Sequence, residues 1–294
     1  MRLAAIDIGS NAVRLLINDI HPWHEGGNDY TKLSFVRVPI RLGFDVFETG
    51  MISNTKIETL LENLKAFQGL MRVYKVDDYR ICATSAMRDA GNSGDIVRKI
   101  HEETGLIIQI LSGQEEAKML YAAYPDAAAY PAQRQVYIDV GGGSTEISIY
   151  KKDTCIINQS FNVGTIRLLK EANVETAWNE MKTYVKTHIL NGPKAIAVGS
   201  GGNINKVFSM AKRKKDKPLD LELLNDYYKQ LQALTVDERM HHFDLRADRA
   251  DVIVPALKIY TAIMRWADID KMLVPQIGLS DGIIHQLFAE KKSV

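Results

Sequence analysis

The sequence predicts an α/β protein built from two related halves, and three observations lead there. A strand ending in aspartate and entering a glycine turn occurs twice. Ile6-Asp7-Ile8-Gly9 matches Ile138-Asp139-Val140-Gly141 at an offset of 139 − 7 = 132 residues, close to half of the 294-residue chain. A strand–loop–helix unit also recurs, once at 79–89 and once at 195–210, with an offset of 199 − 84 = 115 residues that loop insertions can account for. Self-similarity on this scale is the mark of an internal duplication. Finally, a chain of this length with 46% hydrophobic residues can bury two full cores.

Residues 3–7 form an apolar run ending in Asp7, and 12–18 form a second run, so the chain opens on a hairpin. A polar loop is expected at 21–29. Alternation at 32–38 then predicts a third strand, which Pro39 ends or places at an edge. Ile57, Leu60, Leu61, Leu64, Phe67 and Met71 recur at helical spacing, so 53–74 should be a helix with one buried face, capped by Ser53 or Asn54. Strand 79–83 runs into Thr84-Ser85-Ala86-Met87-Arg88-Asp89. Hydroxyls and amides at such a strand-to-helix turn suit an anion, and Arg88 supplies a planar fork matched to phosphate oxygens. A surface ion pair with Asp89 or Asp95 is the plainer alternative for Arg88.

Strand 106–111 precedes a helix from 112 to about 124, with Pro125 as terminator. Ser112 and Glu115 have the spacing of a capping box, which gives Glu115 a structural task. Glu116 lies about 100° further around and is left as a candidate general base. The Ala- and Pro-rich stretch 125–133 is the expected boundary. It gives domains 1–125 and 126–294, with the C-terminal helix 283–294 able to join the first.

The second hairpin spans 137–150. Gly141, Gly142 and Gly143 are expected to take positive φ and to turn their amides, with that of Ser144, toward an anion. Asp139 and Glu146 would flank that turn, a place for a divalent cation that shares oxygen ligands with phosphate. Residues 162–167 lead into a helix at 168–189, and strand 195–198 leads through Gly199-Ser200-Gly201-Gly202-Asn203 into a helix at 204–210. Further helices are expected at 219–239 and 252–266, the latter introduced by Arg246-Ala247-Asp248-Arg249-Ala250-Asp251. A short strand at 272–274 and a helix at 283–290, capped by Ser280-Asp281-Gly282, complete the chain.

A net charge of +1, from 37 basic and 36 acidic residues, argues against nucleic acid or an anionic membrane as partner. The basic run at 212–217 is expected as a solvated loop. Cys82 and Cys155, each in a β-like apolar run, read as buried free thiols of a cytoplasmic protein. No signal peptide or membrane-length apolar run is present in the sequence as it stands. The adjacent His241 and His242 do not share a helix face, and a metal site there is not expected.

Assembled, the stretches 5–11, 83–88, 112–117, 138–146, 199–202 and 279–282 resemble the exopolyphosphatase/guanosine pentaphosphate phosphohydrolase (Ppx/GppA) family, within the actin-like, Hsp70-like and sugar-kinase-like ATPase superfamily. The resemblance implies two ribonuclease-H-like domains around an interdomain active-site cleft. It implies Glu116 as catalytic base, Arg88 as phosphate-binding arginine, and Asp139 with Glu146 as carboxylates for Mg²⁺ or Mn²⁺ and for positioning water. Asp7 is a third candidate metal ligand. Gly9, Ser10, Asn11, Thr84, Ser85, Gly141, Gly142, Gly143, Ser144, Gly201 and Gly202 are the expected phosphate contacts. Asn203 departs from the family's usual threonine. The chain stops at Val294, without the C-terminal helical domains of longer members. The expected substrate is therefore short polyphosphate or guanosine pentaphosphate, with release of orthophosphate. A small-molecule kinase and a non-catalytic nucleotide or polyphosphate sensor stay open as alternatives, and a homodimer is the default assembly.

Overall fold

The computed structural model describes residues 1–22, 28–124, 134–151, 154–170, 174–190, 192–214 and 217–292. The expected boundary at 125–133 lies outside these, as do Lys215 and Asp216 of the basic run. The chain forms two compact units, one of residues 1–123 with 279–294 and one of residues 124–278.

The first unit holds a five-stranded sheet of β1 (Arg2–Ile8), β2 (Val13–Pro22), β3 (Asn28–Val38), β4 (Asp78–Ala83) and β5 (Ile108–Ile110), in the order β3-β2-β1-β4-β5. The first three strands are antiparallel neighbours, and β4 and β5 add in parallel. Residues 3–8 of β1 are all buried because helices cover both faces, which is why this strand reads as a continuous apolar run. Ala4, Ile6 and Ile8 share a core with Leu60, Leu64 and Phe67 of α2 (Asn54–Val73). Leu3 and Ala5 point the other way, into a core with Ile283, Ile284 and Leu287 of the C-terminal helix α13 (Leu279–Lys292). Each such aliphatic side chain removed from water contributes about 1.5–3 kcal/mol. Gly282 is needed where α13 crosses α5 (Gly113–Ala122), since a Cβ there would stand 2.1 Å from the Met119 carbonyl oxygen.

Several expectations change in this unit. Strands β2 and β3 continue through His21–Asp29 and Pro22–Asn28 pairs, so the polar loop is shorter than expected. Ser53 occupies the N-cap position of α2 without a side-chain capping bond, and its amide donates to Asp45 Oδ2 at 3.0 Å. Ser280, Asp281 and Gly282 lie inside α13 rather than ahead of it. Helices α1 (Gly43–Thr49), ended by Gly50 at φ 77°, and α4 (Ser93–Thr104), ended by Gly105 at φ 72°, add to the sequence reading. The short α3 (Ser85–Asp89) follows β4 as expected.

The second unit repeats the scheme. β6 (Arg134–Val140), β7 (Thr145–Lys151), β8 (Thr154–Phe161), β9 (Ala195–Ser200), β10 (Leu219–Asp220) and β11 (Lys271–Leu273) run β10-β11-β9-β6-β7-β8. Without β10 that order, and its mix of antiparallel and parallel pairs, is that of the first sheet. Two mixed sheets of this topology make the protein α/β, with two ribonuclease-H-like domains of the actin-like class.

The helix expected at 168–189 is divided into α6 (Thr165–Leu169), α7 (Glu175–Val185) and a π-helical turn over Lys186–Leu190. Likewise 219–239 holds α9 (Leu221–Gln232) and α10 (Val236–Phe243), because Thr235 and Glu238 form a capping box that starts a new helix. After α8 (Gly202–Met210), α11 (Ala247–Ala250) and α12 (Ile253–Ala267) complete the unit. Cys82 is buried, and burial pushes its thiol up to about 12, but Cys155 is exposed. It lies on β8, which among the described residues pairs with β7 alone, so the expectation of two buried thiols is corrected.

Candidate active site

In the first unit, β1 pairs with β2 so that Asp7 stands directly opposite Arg14. Arg14 Nη1 donates to Asp7 Oδ2, an ion pair whose carboxylate is buried and whose guanidinium is partly exposed. The turn between them closes by a Gly9 N–H to Ala12 carbonyl bond of 3.1 Å. Ser10 and Asn11 at its tip are tied down by amides donated from Gly43 and Arg41. The buried Ser10 and Ser85 hydroxyls share a hydrogen bond of 2.8 Å, and the Thr84 amide donates to the Ile8 carbonyl. Strand β4 thus brings its Thr84-Ser85 turn beside the glycine turn of the first hairpin.

Arg88 sits one turn beyond Thr84. Its Nη1 donates to the Leu111 carbonyl at 2.6 Å and lies 3.8 Å from Glu116 Oε2. It is not engaged with Asp95, which pairs with Arg98 instead. The two adjacent glutamates separate as their spacing requires. Ser112 and Glu115 form a reciprocal capping box on α5, and the hydrogen bonds from the Ser112 amide and hydroxyl hold the Glu115 carboxyl below its usual range. Glu116 is buried, with the Arg88 guanidinium beside it. A buried carboxylate next to a fixed cation can accept a proton while its orientation stays set.

In the second unit the corresponding register pairs Asp139 with Glu146. Opposed cross-strand side chains stand about 4.5–5.5 Å apart at Cβ, and like charges there are destabilising. Glu146 is only 2% exposed and Asp139 is half-buried, so solvent screens the pair only from the Asp139 side. Each carboxylate is held by a serine. Ser200 Oγ donates to Asp139 Oδ1 at 2.7 Å, and Ser160 Oγ donates to Glu146 Oε1 at 2.7 Å. Two anchored carboxylates form an all-oxygen donor set that fits a hard divalent cation such as Mg²⁺ or Mn²⁺.

The glycine turn closes by a Gly141 N–H to Ser144 carbonyl bond of 2.9 Å, matching the bond at Gly9. Gly141, Gly142 and Gly143 do not take the positive φ expected of them, since the positive-φ glycines among the described residues are Gly50, Gly105 and Gly201. Close approach requires glycine at 164, on the segment that crosses this turn. The Thr165 and Ile166 amides donate to the Gly141 and Gly142 carbonyls, Arg167 Nε donates to the Gly143 carbonyl at 2.6 Å, and a Cβ on Gly164 would stand 2.4 Å from the Gly142 oxygen. Ser144 is buried behind the turn.

Gly201 supplies the left-handed turn, at φ 108°, between β9 and α8. A Cβ on it would stand 2.9 Å from the Val140 carbonyl and 3.4 Å from Asp139 Oδ1. The loop therefore passes directly against the aspartate of the second hairpin. Below it the buried Tyr260 hydroxyl donates to the Ser200 carbonyl, and burial first, with Asp139 adding to it, pushes that phenol well above its ordinary range. Ser160, Ser200, Tyr260 and Arg249, which contacts Asn203, were not singled out by sequence reasoning. Ser200 is brought to Asp139 by the parallel register of β6 and β9.

Comparison with known proteins identifies the family and the fold. The model of the Ppx/GppA phosphatase family matches residues 24–291. Exopolyphosphatase 1 of Mycobacterium bovis is 27% identical over 97% of this chain and 87% of its own length. The Mycobacterium leprae protein of the same name is 25% identical over 97% of this chain and 88% of its own. Among solved structures, an exopolyphosphatase from Cytophaga hutchinsonii superposes with a TM-score of 0.86 at 23% identity, covering 99% of this chain and 98% of that one. The Aquifex aeolicus Ppx/GppA family member gives 0.76 at 24% identity, with 99% and 98% covered. Among the described residues no helix is long and apolar enough to cross a membrane.

Proposed function

We propose, from the premise that the chain belongs to the Ppx/GppA phosphatase family, that it is a metal-dependent phosphoanhydride hydrolase acting on short polyphosphate or guanosine pentaphosphate. It is an exopolyphosphatase-like hydrolase by family, and the proposal concerns its substrate, its metal and the labour of its residues. The observation that carries it is the in-register Asp139–Glu146 pair beside the Gly201-Gly202 loop. A carboxylate pair that calls for a cation and a helix-entry loop that suits an anion are what a metal-bound phosphate requires.

Asp139 and Glu146 are the metal ligands in this reading, oriented by Ser200 and Ser160. When bound, the cation would offset charge on the phosphoryl oxygens. Glu116 takes a proton from the attacking water, and Arg88 stabilises charge developing on the transferred phosphoryl group. Asp7 already has a cation across the strand in Arg14 and is assigned no metal. The backbone around Gly9, Ser10 and Asn11, with Thr84 and Ser85, and that around Gly141–Ser144 and Gly201–Gly202 contact phosphate.

The test is Mg²⁺-dependent release of orthophosphate from tripolyphosphate, long-chain polyphosphate, guanosine pentaphosphate and ATP, with Glu116→Gln alongside. The wild type should release phosphate from tripolyphosphate or guanosine pentaphosphate faster than from long chains. Glu116→Gln should lose about 10²–10⁴-fold in kcat. Undiminished hydrolysis by Glu116→Gln would remove the base assignment, and transfer of phosphate to an added small-molecule acceptor instead of water would replace hydrolase by kinase.

A further inference from the structure

The face of the second sheet that carries the two carboxylates is polar and yet withdrawn from water. Val136, Ile138 and Val140 of β6 and Ile147 and Ile149 of β7 point into the core of the second unit. Alternation therefore puts Tyr137 and Asp139 on the opposite face, with Glu146, Ser148 and Tyr150 beside them. Tyr137, Glu146, Ser148 and Tyr150 are all buried. The tyrosines of this face pack edge-on, Tyr137 against Tyr150 with 5.0 Å between ring centroids. Tyr124, the first residue of the second unit, extends the row, its ring 4.9 Å from that of Tyr137 and at 86° to it.

Buried polar groups ordinarily have partners. On this face Tyr137 Oη donates to Gln135 Oε1 at 2.8 Å, and Glu146 accepts from Ser160. The Tyr124 hydroxyl differs. Its oxygen is buried and has no hydrogen-bond partner among the described residues. Burial first, then Tyr137, Asp139 and Tyr260, pushes the phenol well above its ordinary range, so it keeps its proton. The influence of both Asp139 and Tyr260 puts the hydroxyl toward the ends of β6 and β9, where Tyr260 Oη donates to the Ser200 carbonyl and Ser200 Oγ to Asp139. A buried hydroxyl with a proton to give and a lone pair to share, and neither used, is costly unless something that binds there uses it.

We propose that Tyr124 is a positioning residue of the Asp139–Glu146 site, its hydroxyl hydrogen-bonding the water shell of the cation that the two carboxylates hold. This rests on the reading of those carboxylates as metal ligands. Mg²⁺ dehydrates reluctantly and usually keeps several waters, and a site of two carboxylates leaves positions for them. On a face from which bulk water is excluded, those waters need fixed neighbours. A phenol suits the task, since it accepts from one water while donating to another, and it carries no charge that would compete with the cation. Outer neighbours of this kind keep the ligands of a metal oriented. The edge-on contact with Tyr137 fixes the direction of the Tyr124 ring.

The experiment uses the full chain and reads two quantities, the Mn²⁺ dissociation constant by electron paramagnetic resonance and the unfolding temperature in a chelator. Tyr124→Phe should weaken Mn²⁺ binding by about 10-fold or more, as loss of an outer-shell partner does. It should leave the unfolding temperature in chelator unchanged or raised, because the hydroxyl it deletes has no partner among the described residues. Tyr137→Phe is the matched control. Its hydroxyl is satisfied by Gln135, so this variant should unfold at a lower temperature and keep wild-type Mn²⁺ affinity. A wild-type Mn²⁺ constant in Tyr124→Phe overturns the proposal. So does a lower unfolding temperature of Tyr124→Phe in chelator, or its failure to fold, since either makes the hydroxyl structural. Equal weakening of Mn²⁺ binding in both variants assigns the effect to ring packing and overturns it as well. If the wild type binds no Mn²⁺, the reading of Asp139 and Glu146 as metal ligands falls and this inference with it. A wild type that binds, matched by Tyr124→Phe, removes this inference alone.

Discussion

The two hairpins of this protein share a backbone and differ in charge. Asp7 and Arg14 face each other in the first, and Asp139 and Glu146 in the second, at positions related by the same 132-residue offset (139 − 7 and 146 − 14). Both turns close with the same amide-to-carbonyl bond, at Gly9 and at Gly141. The first hairpin carries a cation across from its aspartate, while the second places a glutamate there, the pair proposed above as metal ligands. The comparison shows how a duplicated scaffold can divide labour. A single change of charge sign across one strand pair makes one copy self-sufficient and leaves the other a candidate ligand set.

The largest effect is expected when the charge pattern of the first hairpin is copied onto the second. Glu146→Arg should give an internally neutralised pair, abolish the response to Mg²⁺ and lower phosphate release by about 10³-fold or more. The same variant should unfold at a higher temperature than the wild type in a chelator, because the like-charge pair has been removed. Steady-state kinetics and thermal unfolding, with and without Mg²⁺, check the two halves of that statement.

The reverse copy, Arg14→Glu, tests the first hairpin. It leaves Asp7 buried opposite another carboxylate and should cost about 2–3 kcal/mol in urea unfolding, less than a fully buried pair because Arg14 is partly exposed. Added divalent cation should restore part of that loss, since the variant hairpin now resembles the second.

A smaller effect is expected at Glu115, whose carboxylate serves the α5 cap while its neighbour Glu116 is assigned the chemistry. Glu115→Ala should lower stability by about 1 kcal/mol and leave kcat unchanged. The smallest effect is a pH dependence confined to the unit with the neutralised hairpin. His285 on α13 stacks on Tyr30 of β3 at 3.9 Å between ring centroids, and burial holds its pKa below 6.5, although Asp281 opposes the shift. The folded state then binds fewer protons than the unfolded state. His285 contributes stability that is present above about pH 6.5 and lost as pH falls toward its folded pKa. Unfolding measured between pH 7 and 5 should show this slope, and His285→Phe should flatten it.

Much of this architecture was legible because it is written in local patterns. The apolar runs ending in Asp7 and Asp139, the helical spacing from Ile57 to Met71 and the Ser112–Glu115 cap each lie within one segment. What escaped the sequence depends on pairing. The opposition of Arg14 and Glu146 was present in the offset, but it becomes an argument about charge only when strand register places them across from Asp7 and Asp139. Ser160, Ser200, Tyr260 and Arg249 come from segments far from the turn they serve, and no spacing rule links them to it. The glycine turn lies between two strands as expected, but its conformation differs from the one expected. Gly141, Gly142 and Gly143 admit the α6 amides and Arg167 at close range, whereas the positive φ belongs to Gly201.

Titration with Mn²⁺ followed by electron paramagnetic resonance decides whether the second hairpin, unlike the first, holds a divalent cation. Wild type and Arg14→Ala should both bind Mn²⁺, and Glu146→Arg should not. Mn²⁺ binding by Glu146→Arg equal to that of the wild type, or its loss in Arg14→Ala alone, would contradict the claim.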